Sequence, residues 1–153
     1  MDFLIKKLKE KNLTIASCES VTGGHFSENI VKINGASEVY LGGVIAYSNN
    51  SKINVVNVNP QTIQTFGSVS VETAIEMANN IKRLFNSDIG ISFTGLAGSE
   101  SNESKPIGLV YIAVSYNEKC LIYEYKLSGT RKEIINKAAQ MGIKFLKEFI
   151  KKI

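Results

Sequence analysis

The sequence predicts an α/β domain of three layers, in which helices cover both faces of a mixed, mostly parallel sheet with an antiparallel hairpin at its edge. In the first half of the chain, short apolar runs alternate with segments of helical periodicity, as in strand–helix units. Two further apolar runs, 107–116 and 119–127, flank Asn117 and Glu118 as a hairpin would. The 153 residues, 44 % of them hydrophobic, suit one well-buried core. We therefore expect a single domain over 1–153.

The first half of the chain predicts two helices and two strands in alternation. Apolar residues at helical spacing within 4–8 predict a short amphipathic helix, and LTIAS at 13–17 predicts a strand. The apolar residues between 26 and 33 predict the next helix, which ends before Gly35 because glycine commonly follows a helix. VIAYS at 44–48 predicts the second strand, and the polar NNSK after it is interpreted as a loop.

The second half contains the strongest helix signals. Ser70 is the predicted cap of a helix whose apolar stripe extends to Phe85. DIGISFT at 88–94 predicts a strand, and GLAGSESNESKP after it predicts a long polar loop. Thr130 and Glu133 have the spacing of a capping box, which predicts the start of the last helix.

The net charge of +4 raises the question of nucleic-acid binding, and its distribution argues against it. Residues 1–12 and 131–153 hold 11 of the 18 Lys and Arg and 4 of the 14 acids, a balance of 11 − 4 = +7, so the middle carries +4 − 7 = −3. Lysines on the solvent faces of two terminal helices favour solubility over a duplex-binding surface, which needs clustered cations beside base-reading groups. We expect no nucleic-acid partner.

The cysteines, the single histidine and the hydropathy limit the compartment and the ligands that the sequence predicts. Cys18 and Cys120 have no CxxC spacing, and no segment approaches the ~20 apolar residues of a membrane span or forms a signal peptide. We expect a cytoplasmic protein with reduced thiols and no membrane contact. A zinc site is not expected with His25 as the sole histidine, although a magnesium site of carboxylates and water leaves little trace in a sequence. We expect no metal and no cofactor.

Three polar segments each follow a predicted strand: CESVTGG, YSNNSK and TGLAGSESNESKP. In an open α/β sheet such loops meet at the carboxyl edge of the strands, where ligands bind. In the first segment, Ser20 precedes Gly23 and Gly24, whose amides could hold an anion or the oxyanion of a serine reaction. The alternative is that these residues only form a tight structural turn and bind no ligand.

A nucleophilic serine needs a base. His25 lies inside the following helix and should turn away from Ser20, and Cys18 at a strand end is more typical of a buried apolar residue than of a nucleophile. Lys52, on the loop after the second strand, could reach Ser20 if its pKa fell from ~10.4 to about 7.5 through burial and a cationic neighbour such as Lys105. The alternative for Lys52 is a solvated surface cation.

Six segments, spread from about residue 13 to residue 131, together resemble the CinA C-terminal domain family in its stand-alone form. They are CESVTGG, GGVIAYSNNSKINVVNV, FGSVSVETAIEMA, FTGLAG, KPIGLV and SGTR, in the family's order and spacing. The resemblance implies a three-layer α/β/α domain that hydrolyses the carboxamide of nicotinamide mononucleotide to nicotinate mononucleotide and ammonia, without a metal. It also implies a small-molecule nucleotide as partner. The apolar last helix suggests a homodimer.

The resemblance assigns roles residue by residue. Ser20 matches the nucleophile, Lys52 the base and Tyr47 an orienting or proton-relaying group. The positions matched to substrate binding are Glu19, Thr22, Gly23, Gly24, Asn49, Thr94, Gly95, Gly98, Lys105 and Arg131, with Thr22 to Gly24 at the oxyanion and phosphate region and Arg131 as the candidate phosphate ligand.

Three departures from the family pattern bear on these roles. Val21 replaces a cysteine, Ala46 replaces a threonine, and residues 99–104 lack the PxGG that shapes the family's loop. Two rival interpretations therefore stand beside the amidohydrolase: a nucleotide-binding module without turnover, and a competence- or damage-related accessory protein of the same fold.

Overall fold

The computed structural model describes residues 2–98 and 104–153 of the chain. Within them the chain forms five strands and six helices, with one 3₁₀ turn at Ala36–Glu38. In chain order these are α1 (Asp2–Glu10), β1 (Ile15–Glu19), α2 (His25–Val31), β2 (Tyr40–Ile45), α3 (Asn49–Asn54), α4 (Pro60–Phe66), α5 (Val71–Phe85), β3 (Ile89–Gly95), β4 (Leu109–Tyr116), β5 (Lys119–Lys126) and α6 (Arg131–Ile150).

The strands form one mixed sheet in the order β2-β1-β3-β4-β5. β1 pairs in parallel with both β2 and β3, whereas β3–β4 and β4–β5 are antiparallel. Only β4, among the described strands, therefore runs against the others, and the predicted hairpin forms one edge of the sheet. Asn117 adopts a left-handed φ of 51° in the two-residue turn, a conformation that asparagine tolerates well. The predicted fold class is confirmed.

Helices cover both faces of the sheet. On one face α1, α2 and α6 bury the larger apolar cluster, in which the rings of Phe26 and Phe93 lie 4.9 Å apart. On the other face α5 packs Met77 and Ile81 against Ala16 and Cys18 of β1. The central strands β1 and β3 are therefore covered on both sides, and their carboxyl ends open onto one rim of the domain.

Several boundaries differ from the sequence prediction. β1 begins and ends two residues later than LTIAS, and β2 begins four residues earlier than VIAYS and ends at Ile45. NNSK was predicted as a loop, but it forms the start of α3, capped by the Ser48 side chain. α4 was not predicted either, although Asn59 as cap and Pro60 in the first turn are a helix-start signal. Short polar helices lack the apolar repeat on which the prediction depended.

Ser70 and Thr130 cap α5 and α6 as predicted, and Glu133 completes the capping box. Across the described residues, each helix is either too short or too polar to span a lipid bilayer.

Candidate functional site

A cavity of about 480 Å³ opens at the rim where β1, β2 and β3 end. Its described lining comprises Ser20, Val21, Tyr47, Lys52, Ser68, Val69, Thr94, Gly95, Leu96, Ala97, Gly98 and Arg131. The three polar segments singled out in the sequence all contribute to it. Parallel neighbours explain the convergence: β1 lies between β2 and β3, so the chain leaves all three strands on the same side.

Ser20 and Lys52 meet at the inner end of this cavity. Lys52 Nζ lies 2.9 Å from Ser20 Oγ, within hydrogen-bonding distance. Ser20 is 7 % exposed and Lys52 only 2 %, so the pair is shielded from bulk water. The backbone holds the serine, because Ser20 N donates to Phe93 O of the neighbouring strand at 2.9 Å. The structure thus brings together the predicted nucleophile and the predicted base.

Main-chain carbonyls orient the lysine. Lys52 Nζ donates to Ala46 O at 3.0 Å, to Tyr47 O at 3.3 Å and to Ser20 Oγ at 2.9 Å. Two main-chain oxygens and the serine hydroxyl therefore hold the amine in place. This geometry sets Lys52 Nζ within reach of the Ser20 hydroxyl proton.

The position of Lys52 on α3 corrects the loop assignment. Ser48 and Ser51 form a reciprocal capping box, in which each side chain bonds the other residue's backbone N–H. This fixes the first turn of α3 directly after β2. Lys52 follows on the inward side of that turn and points back beneath β1. A short helix, not a flexible loop, sets the distance from Lys52 to Ser20.

Glu19 was assigned to substrate binding, and the structure gives it a different position. Its side chain is 0 % exposed and does not line the cavity. The carboxylate accepts the backbone N–H groups of Gly24, Phe26 and Ser27 at 2.9–3.1 Å, and the Ser27 hydroxyl as well. The negative charge lies at the positive end of α2, where it is stabilised. Glu19 therefore fixes the turn that carries Ser20.

The two glycines shape this turn and do not offer free amides. Gly23 and Gly24 have φ of 55° and 99°, in the left-handed region that favours glycine. Gly23 N donates to Ser20 O at 3.1 Å, and Gly24 N donates to Glu19. Neither amide is therefore free to hold an anion in this structure, and the assignment of the two glycines to substrate binding stays a prediction. Thr22, 2 % exposed, also lies outside the cavity lining.

The outer end of the cavity is formed by Tyr47 and Arg131. Arg131, the first residue of α6, donates from Nη2 to the Tyr47 hydroxyl at 2.9 Å. Tyr47 is 62 % exposed, so its hydroxyl lies at the mouth. A Cβ on Gly98 would come within 2.2 Å of Arg131 Nη1, which means that the guanidinium lies directly against the glycine. The mouth therefore depends on a residue without a side chain.

Four other predicted substrate ligands occupy varied positions. Thr94 and Gly95 line the cavity, but Thr94 Oγ1 donates to Ser68 O at 2.6 Å. Asn49 is exposed at the start of α3 and outside the lining. Lys105 Nζ donates to Phe66 O at 2.8 Å and to Val69 O, so it stabilises the segment that forms this part of the cavity wall. The loop residues 99–103 lie outside the described residues.

The rival nucleophile and base are both engaged elsewhere. Cys18 is fully buried on the α5 face of the sheet, and burial raises the pKa of its thiol to about 12. The ring of His25 contacts Glu28 and Asn136 at 3.1 Å each, joining α2 to α6. Neither side chain lines the cavity.

Sequence reasoning missed several wall residues: Val21, Ser68, Val69, Leu96 and Ala97. The signal for two of them was present, because FGSVS was matched to a family segment but used only for the helix that follows. Within the described residues, no group of three or more His, Cys, Asp and Glu lies close enough to hold a metal ion. The absence of metal dependence stays a prediction.

A family model and a longer relative each match most of this chain. The family model described as the CinA C-terminal domain matches residues 1–150. A "CinA-like protein" of Kosmotoga olearia is 40 % identical over 147 residues, which are 95 % of this chain and 36 % of that protein. The chain thus spans about a third of the length of this longer relative.

Two solved structures share the fold. The competence or damage-inducible protein from Enterobacter asburiae superposes with a TM-score of 0.95 at 27 % identity, covering 97 % of this chain and 94 % of that one. The competence/damage inducible protein CihA from Agrobacterium tumefaciens gives 0.84 at 30 % identity, covering 92 % and 90 %.

Proposed function

Because the chain belongs to the CinA C-terminal domain family, we propose that it is an amidohydrolase that converts nicotinamide mononucleotide to nicotinate mononucleotide and ammonia. The observation that carries this proposal is the buried contact of 2.9 Å between Ser20 Oγ and Lys52 Nζ at the inner end of the cavity. A lysine so placed beside a serine is the arrangement of an activated nucleophile and its base.

The reaction proceeds in two halves. Ser20 Oγ attacks the carboxamide carbon while Lys52 takes the hydroxyl proton, so a C–O bond forms and the carbonyl oxygen becomes an oxyanion. The intermediate collapses with cleavage of the C–N bond, and the proton on Lys52 leaves with ammonia. Water then attacks the acyl-serine, Lys52 removes a water proton, and the acid is released as Ser20 regains its hydrogen.

The cavity favours a small anionic substrate. Its volume of about 480 Å³ lies within the range of small-molecule sites, and its described lining includes Lys52 and Arg131 but no Asp or Glu. Arg131 at the mouth can bind a phosphate through two parallel N–H donors. In this arrangement the carboxamide enters first and the phosphate stays at the rim. Tyr47 lies beside Arg131 at the mouth and orients the bound nucleotide there.

The decisive experiment measures ammonia release by the purified protein. The panel comprises nicotinamide mononucleotide, nicotinamide riboside, nicotinamide and the dinucleotide, with Ser20→Ala as the matched control. We expect ammonia from the mononucleotide, none from the variant, and an unchanged rate with chelator. Release by Ser20→Ala, or activity that requires an added metal, would contradict the mechanism.

The same panel separates the rival functions. Nucleotides that raise the melting temperature without ammonia release would indicate a binding module. A protein that neither binds nor hydrolyses any of them would fit an accessory role. Each outcome excludes the proposal for the substrates tested.

A further inference from the structure

Six of the eight backbone N–H groups from Ser20 to Ser27 donate to protein oxygens. The paired donors are Ser20 N, Gly23 N, Gly24 N, His25 N, Phe26 N and Ser27 N, whose acceptors are Phe93 O, Ser20 O, Thr22 O and the Glu19 carboxylate. Val21 N and Thr22 N donate to no group in the described part of the chain. Unpaired amides in buried segments are rare, and they call for an explanation.

Both residues that carry these amides are largely buried. Val21 is 7 % exposed and Thr22 is 2 % exposed. The Thr22 hydroxyl is also buried without a partner, so the unsatisfied polar groups are adjacent in the chain. A folded protein tolerates such a cluster when the geometry serves another purpose. Here the unpaired groups lie next to Ser20, so we connect them with the reaction proposed for that residue.

Of the two, Val21 lies where a reacting carbonyl would be. It lines the cavity beside Ser20, whereas Thr22 does not. The N–H of the residue that follows a nucleophilic serine is a recurrent oxyanion donor, because it points to the same side as the attacked carbonyl. Glu19 removes competing donors by accepting the amides of Gly24, Phe26 and Ser27.

We propose that the backbone N–H of Val21 is the oxyanion donor of this site and that Glu19 is the positioning residue that keeps the turn in the required conformation. The inference rests on the proposed function, since it assumes attack by Ser20. When the Ser20 Oγ–carbon bond forms, the π electrons of the carbonyl move to its oxygen. The Val21 N–H stabilises that charge more in the transition state than in the ground state.

The test replaces this one donor by an ester oxygen. Val21 is substituted by its α-hydroxy acid through nonsense suppression, which keeps the side chain and removes the N–H. Glycolic acid at Gly23 is the matched control, because it breaks the turn bond from Gly23 N to Ser20 O, which the Val21 ester also weakens. Melting temperatures verify that both variants fold.

Two readouts are measured. The first is kcat for ammonia release, which should fall about 10²–10³-fold in the Val21 ester with little change in KM. The second is the rate at which a fluorophosphonate phosphonylates Ser20, followed by mass spectrometry. There the Ser20 O–P bond forms, fluoride leaves, and a developing phosphonyl oxyanion needs the same donor. The Gly23 control should keep both rates within roughly fivefold of the wild type.

The outcomes separate this inference from the proposed function. A Val21 ester that labels and turns over like the Gly23 control overturns the oxyanion assignment while leaving the amidase intact. A wild type that labels at Ser20 but releases no ammonia overturns the substrate, and the labelling rates alone then decide the donor. A wild type whose Ser20 does not label at all overturns both.

A second measurement needs no variant. In amide NMR spectra, formation of the phosphonyl adduct should move the Val21 proton downfield more than any other amide of residues 20–27. A larger shift at Gly23 or Gly24 would overturn the assignment.

Discussion

The two ends of the cavity are constructed in different ways. At the inner end, Ser20 and Lys52 are almost fully buried, and backbone groups of β3 and of the segment after β2 hold them. At the outer end, the contact between Tyr47 and Arg131 joins two exposed side chains from segments 84 residues apart in the chain. Under the proposed function, the inner end carries out the reaction and the outer end selects the substrate, at little cost to the fold.

This division predicts that substitutions separate by kinetic parameter. Groups at the inner end act on bonds that change in the reaction, so their loss should lower kcat. In the proposed complex, groups at the mouth contact parts of the substrate that do not react, so their loss should raise KM.

The largest expected effect is that of Ser20→Ala. Loss of the nucleophile should lower turnover by about 10³-fold or more, because no covalent intermediate can form. Ligand-induced melting shifts should remain close to those of the wild type, since the mouth is untouched. Ammonia release at saturating nucleotide measures the loss, and residual turnover within about tenfold of wild type would contradict covalent catalysis.

The next effect concerns the proton acceptor. Lys52→Met should abolish turnover, and Lys52→Arg should be nearly as damaging, because a guanidinium keeps its proton at any working pH. In the wild type, kcat/KM should fall as the pH is lowered, because protonation of Lys52 removes its lone pair.

The Met and Arg variants are each other's control. A surface cation would tolerate both changes, and a purely electrostatic clamp would tolerate arginine but not methionine. Substantial activity in Lys52→Arg would move this residue from proton transfer to substrate binding.

At the mouth, Arg131→Ala should raise KM for nicotinamide mononucleotide about 10–100-fold and change kcat little, because one charged hydrogen-bonding group is lost. Nicotinamide riboside, which lacks the phosphate, is the control substrate, and its kinetics should not respond. Equal losses with both substrates would show that Arg131 does not contact the phosphate.

The smallest effect is expected for Gly98→Ala. The added Cβ would crowd Arg131 Nη1, and the flexible guanidinium should move aside, raising KM by roughly threefold to tenfold. In the Arg131→Ala background the same substitution should have no further effect. Additive losses in this double-mutant cycle would show that Gly98 acts independently of Arg131.

The sequence predicted the parts of the fold that carry an apolar repeat or a cap. The stripe after Ser70, the capping box at Thr130 and the hairpin around Asn117 all appear as expected. The meeting of Ser20 and Lys52 followed from the rule that loops after parallel strands converge. α3 escaped prediction because its six residues carry no apolar repeat.

The roles of buried polar residues could not be obtained in this way. A carboxylate next to a predicted nucleophile suggests a ligand for the substrate. In the structure, however, the Glu19 carboxylate accepts hydrogen bonds from amides of α2. These bonds depend on how the chain packs in three dimensions, which the sequence does not show. The burial of Lys52 likewise depends on carbonyls whose direction no residue type encodes. The sequence shows which polar groups are present, but only the structure shows which of them already have hydrogen-bond partners within the protein.

The anchoring of Lys52 by main-chain carbonyls has a consequence for how the site can diverge. Ala46 and Tyr47 present oxygens that every amino acid possesses, so a mutation of either side chain leaves the lysine's acceptors in place. Ala46, where the family pattern has threonine, is such a case. Side chains on this segment can therefore change between relatives without moving the main-chain oxygens that hold Lys52.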